Sequence, residues 1–81
     1  MATVPQVGTT EDVRELIATL LAGAAGGSAD RWKRLIGDVE RLPTWRFVRF
    51  NWRIEPSGTP TERATIAKAV EVVRAEHPYV A

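Results

Sequence analysis

A length of 81 residues with a formal net charge of +1, no cysteine and one histidine limits what this chain can be. The length suits one small domain, burying roughly 60% of its unfolded surface around a thin core. The composition excludes disulfide staples, thiolate metal sites and thiol nucleophiles, and leaves His77 as the one imidazole available for a metal or acid–base role. No cofactor and no metal site is therefore expected.

The charge is unevenly spread. Residues 1–30 carry one basic and four acidic side chains (−3), residues 31–53 seven basic and two acidic (+5), and residues 54–81 three basic and four acidic (−1). A basic middle between acidic flanks points either to an anionic partner or to ion pairing inside the fold. The start of the chain lacks a basic region followed by an apolar core of the signal-peptide kind. The longest apolar region, 13–25, is interrupted by Arg14 and Glu15 and is too short for a membrane span. A cytoplasmic chain without a membrane partner is expected.

In chain order, residues 1–8 read as a flexible tail, and residues 9–81 as a single globular domain. Thr9 and Asp12 resemble a capping box, and Val13, Leu16, Ile17, Leu20, Leu21 and Ala24 make an apolar stripe at helical spacing. A helix is expected over 11–24, with the glycines at 23, 26 and 27 as a connection. Those glycines match neither a Walker nor a dinucleotide pattern. Ser28 then caps a second helix, and Trp32, Leu35, Ile36, Val39 and Leu42 extend its stripe to about 41, where Pro43 stops it. Two helices joined so closely predict an antiparallel hairpin with facing stripes.

The stretch from 45 to 54, Trp-Arg-Phe-Val-Arg-Phe-Asn-Trp-Arg-Ile, holds two of three tryptophans and both phenylalanines. Its period of two places Val48, Phe50, Trp52 and Ile54 on one face and Arg49, Asn51 and Arg53 on the other. A strand with one face in the core is expected. Thr59-Pro60-Thr61-Glu62 carries both halves of a capping box with proline at the first helical position, so a third helix is expected over 60–76. The class is thus α+β, in the order α-α-β-α. A lone strand needs a hydrogen-bonding partner. The short extended pieces at the ends, 3–7 and 79–81, are too short to cover it, so a homodimer paired across a twofold axis is one expectation and a monomer with a small sheet the other.

The functional candidates lie on the strand's polar side. Arg49, Asn51 and Arg53, with Trp45 and Phe47 continuing that side and Lys33 and Arg34 extending it from helix 2, form an expected partner-binding set. Arginines there also serve as edge protection and ion-pair partners, for instance to Glu55 or Asp38. His77 sits at the end of helix 3, where a cation complements the helix dipole, and no serine, cysteine or second histidine accompanies it in a recognisable arrangement. No catalytic residue is expected. The sequence reads first as a small non-enzymatic interaction module or accessory protein with a protein partner. A nucleic-acid binder using the arginine and aromatic face comes second. It is opposed by the near-neutral total charge. An enzyme of unrecognised type comes third.

Overall fold

A computed structural model describes residues 8–46 and 49–81. Most of the expected 1–8 tail, and Phe47 and Val48 of the expected strand, lie outside the described residues. Gly8 is bonded at both ends, its carbonyl accepting from the Ala81 N–H at 2.7 Å and its N–H donating to Asp12 Oδ2 at 3.2 Å.

Three helices and a two-stranded antiparallel sheet follow one another as α1 (Thr10–Ala25), α2 (Ala29–Ile36), β1 (Val39–Arg41), β2 (Trp52–Ile54) and α3 (Pro60–Glu76). Each helix starts on the residue that its capping chemistry marks. The Asp12 N–H donates to Thr9 Oγ1 at 3.1 Å while the Thr9 N–H donates back to the Asp12 carboxylate. Ser28 Oγ accepts from the Arg31 N–H at 3.1 Å. Thr59 and Glu62 form the second reciprocal box ahead of Pro60.

α1 packs against both α2 and α3 and reaches β1. Its stripe delivers Val13, Ile17 and Leu21 to a core completed by Trp32 and Ile36 of α2, Trp52 of β2, and Ile66, Val70 and Val73 of α3. The buried indoles keep their N–H groups bonded, Trp32 to the Gly26 carbonyl at 2.8 Å and Trp52 to the His77 carbonyl at 2.9 Å. Among the described residues no helix is long and apolar enough to cross a membrane.

Two expected boundaries move. Helix 2 ends at Ile36 instead of 41, because Gly37 takes a positive φ of 70° that β-carbon-bearing residues rarely adopt and its N–H closes the last turn on the Lys33 carbonyl at 3.0 Å. The released residues 39–41 become β1, with Val39 opposite Ile54, Glu40 opposite Arg53 and Arg41 opposite Trp52. Among the described residues of the expected long strand only Trp52–Ile54 is a strand, and Thr44–Arg46 is a turn closed by Arg46 N–H to the Pro43 carbonyl at 3.2 Å. The need for a strand partner, which motivated a homodimer, is met within the chain.

Candidate functional site

The connection between β1 and β2 divides the aromatic stretch into a fixed base and an exposed tip. At the base stands Asn51, expected on the solvent face and found 2% exposed. Its side chain grips the backbone of Val80 in both directions: Nδ2 donates to the Val80 carbonyl at 2.7 Å, and the Val80 N–H donates to Oδ1 at 2.6 Å. Its own N–H bonds the Pro78 carbonyl at 3.0 Å and its carbonyl accepts from the Leu42 N–H at 2.6 Å. The strict alternation read from sequence fails here because residues 49–51 precede the regular strand, so their side chains need not follow its pleat. Asn51 therefore leaves the partner-binding set and becomes a structural clamp on the C-terminal segment.

Beside it Arg74 of α3 stacks its guanidinium over Phe50, 4.2 Å from the ring centroid, and over Trp52 at 4.8 Å. Nη2 donates to the Trp52 carbonyl at 3.2 Å. Burial lowers the pKa of Arg74, against the opposing pull of Glu71, and its Nε is buried without a hydrogen-bond partner. Arg74 is thus part of the packing at the base.

Arg53 is exposed, as expected, but occupied. Its Nε donates to Glu40 Oε2 at 2.8 Å and Nη2 lies 3.5 Å from Glu55. The hydrogen bond it donates to Glu40 and the charges of both carboxylates raise its pKa. Lys33 is likewise held by Glu15 at 2.5 Å, a hydrogen bond that raises its pKa. Neither cation is available to an outside partner without breaking a contact that the fold already makes. Arg34 is exposed on α2, and Asp38, its expected mate at four residues' spacing, lies beyond the end of that helix.

What remains is the tip. Trp45 is 82% exposed, and Arg46 and Arg49 are exposed beside it in sequence. Arg41, the last residue of β1, is exposed too. Residues 41–52 contain three arginines and no acidic residue. Among the described residues none of Arg41, Arg46 and Arg49 meets a carboxylate. Residues 41–45 line an open depression of about 390 Å³. Phe47, expected in this set, lies outside the described residues. Arg41 and Arg46 were not expected there. Arg41 was hidden by its reading as the end of a helix, and for Arg46 the signal was the absence of any acidic residue between Arg41 and Arg53.

A second open surface lies between α1 and α3, a groove of about 370 Å³ lined by Leu20, Leu21, Ala24, Ala25, Ala69 and Val72, with Thr65 and Lys68 at its edge. It is apolar and offers little polar chemistry to specify a ligand. His77 closes α3, donating its N–H to the Val73 carbonyl at 2.7 Å and accepting from Trp52. Among the described residues no three His, Asp or Glu side chains gather in a way that would hold a metal ion.

No family model matches the chain, and neither the curated proteins nor the solved structures compared with it include a match.

Proposed function

We propose that the chain is a small non-enzymatic binding module whose contact surface is the connection between β1 and β2, with a protein as its partner. One observation carries the reading: Trp45 is 82% exposed in a segment whose arginines at 41, 46 and 49 meet no carboxylate among the described residues. An indole exposed to this degree leaves most of its surface to a partner, and tryptophan and arginine are the residues that most often dominate binding energy at protein interfaces. The guanidinium fork also matches a carboxylate in two parallel hydrogen bonds.

The same residue types suit single-stranded nucleic acid, where the indole stacks on a base and the guanidinium groups meet phosphates. That second reading is supported by the same exposed indole and arginines. It is opposed by the small net charge and by Asp38, Glu40 and Glu55, which line one depression at the far end of the same sheet and would repel a phosphate chain running past it.

The test compares the wild-type chain with the triple variant Trp45→Ala, Arg46→Glu, Arg49→Glu as baits in native cell extract, beside a salt titration against an oligothymidylate. Protein captured by the wild type and lost by the folded variant is the expected result. Identical capture by both overturns the assignment of the surface. Oligothymidylate affinity that collapses with salt and with the variant replaces the protein reading by the nucleic-acid one.

A further inference from the structure

Among the described residues, the outer edge of β1 in the β1–β2 ladder has no backbone partner. In an antiparallel pair, opposite residues alternate between those that exchange backbone hydrogen bonds and those whose N–H and C=O groups point away. The Leu42 N–H donates to the Asn51 carbonyl. With Glu40 opposite Arg53, two positions along, these two are the next bonded pair, and Val39 and Arg41 turn their backbone groups outward. On the β2 side one outward group, the Trp52 carbonyl, is covered by the Arg74 guanidinium. On the β1 side nothing among the described residues bonds the outward groups of Val39 and Arg41. That edge runs directly into the depression lined by residues 41–45.

We infer that the outer edge of β1 takes an extended peptide segment of a partner protein as an added strand, with the segment's acidic end at Arg41 and no acidic residue opposite Glu40. The inference rests on the protein-binding reading above and names the partner's form and chemistry. An edge alternating N–H donors with C=O acceptors is satisfied by another peptide backbone, whereas a phosphate chain only accepts. At Arg41 the incoming strand reaches a guanidinium that meets no carboxylate among the described residues, so an acidic side chain belongs there, and an apolar side chain belongs in the depression between Leu42, Pro43 and Trp45.

A second copy of β1 is the poorer occupant. Twofold antiparallel pairing centred on Glu40 sets Glu40 against its own copy. Centring on Arg41 opposes the two arginines, and centring on Val39 opposes Asp38 to Glu40. Every such register places like charges directly across from one another, which destabilises a strand pair.

The experiment selects a random-sequence peptide display library on the immobilised full chain, then measures recovered peptides against the wild type, Val39→Pro and Trp45→Ala. Proline at 39 removes an outward N–H while leaving the ladder bonds of Glu40 in place. The expected peptides carry Asp or Glu at one end beside an apolar residue, slow amide exchange at Val39 and Arg41, and bind Val39→Pro about tenfold more weakly. The exchange result on the wild-type chain decides alone if Val39→Pro does not fold. Peptides that bind Val39→Pro as tightly as wild type and leave both amides unprotected overturn the edge inference; if they still fail on Trp45→Ala, the protein-binding surface stands without it. Failure to recover any peptide, or a concentration-dependent dimer abolished by Val39→Pro, also overturns it.

Discussion

Trp45 and Trp52 belong to one aromatic stretch, yet the first is 82% exposed and the second fully buried. What separates them is the set of groups waiting at each position. Trp52 meets a backbone carbonyl for its indole N–H, a guanidinium stacked near its ring and an opposite strand residue that holds its register. The described residues around Trp45 supply a turn and a proline. Hydrophobic content alone does not place a side chain inside; a large aromatic is buried where neighbouring elements bring surfaces and polar partners to it.

The comparison is broken most severely at the base. Trp52→Ala should destabilise by about 3–5 kcal/mol, the range for large aromatic truncation in a core, and in a chain this small that approaches the whole folding free energy. Denaturant unfolding checks it, and a midpoint unchanged from wild type would place Trp52 outside the core. Asn51→Ala comes next. It strips the N–H and C=O of Val80 of their buried partner, which should cost about 2 kcal/mol. Faster amide exchange at Val80 with little change in the middle of α1 would locate that loss at the C-terminal segment.

Away from both tryptophans, the start of α3 gives a smaller effect that calibrates the scale. Thr59→Ala removes the acceptor of the Glu62 N–H and should cost about 1 kcal/mol by thermal melting. Glu62 adds a pH signature. The Thr59 N–H and then Arg31, which pairs with it, hold its carboxyl below the ordinary carboxylate pKa. A lowered folded-state pKa means stability that is fully present above the unfolded value, about 4.3, and lost as pH falls through the folded value. Glu62→Gln, which retains an acceptor for Thr59, should therefore melt below wild type near neutrality and converge with it in acid. A gap independent of pH would assign the effect to shape instead of charge.

The parts legible in the sequence were those written in local chemistry. The three caps at Thr9, Ser28 and Thr59 each lie beside their helix, and the α1 and α3 stripes match the buried faces of Val13, Ile17, Ile66 and Val73. The α+β class followed from them. β1 was not legible, because Val39 and Leu42 continue the spacing of Trp32, Leu35 and Ile36, and the spacing outweighed the single glycine at 37 that ends the helix. Asn51 was expected on the open face because its partner, Val80, comes from a segment whose proximity only tertiary structure creates; Arg53 is exposed as expected, and its pairing with Glu40 becomes visible only once β1 is recognised. Of the expected binding set, Trp45 and Arg49 keep open positions at the tip, and Arg41 and Arg46 join them once β1 is recognised.

The smallest expected effect tests the central claim, that the tip contributes its tryptophan and arginines to a partner and not to the fold. The measurement is the equilibrium unfolding free energy of the triple variant Trp45→Ala, Arg46→Glu, Arg49→Glu. Exposed side chains that meet no carboxylate among the described residues should leave it within about 0.5 kcal/mol of wild type, with an unchanged denaturant slope. A loss above about 2 kcal/mol, the size expected when buried or paired groups are removed, would show that these residues hold the structure together and contradict the account.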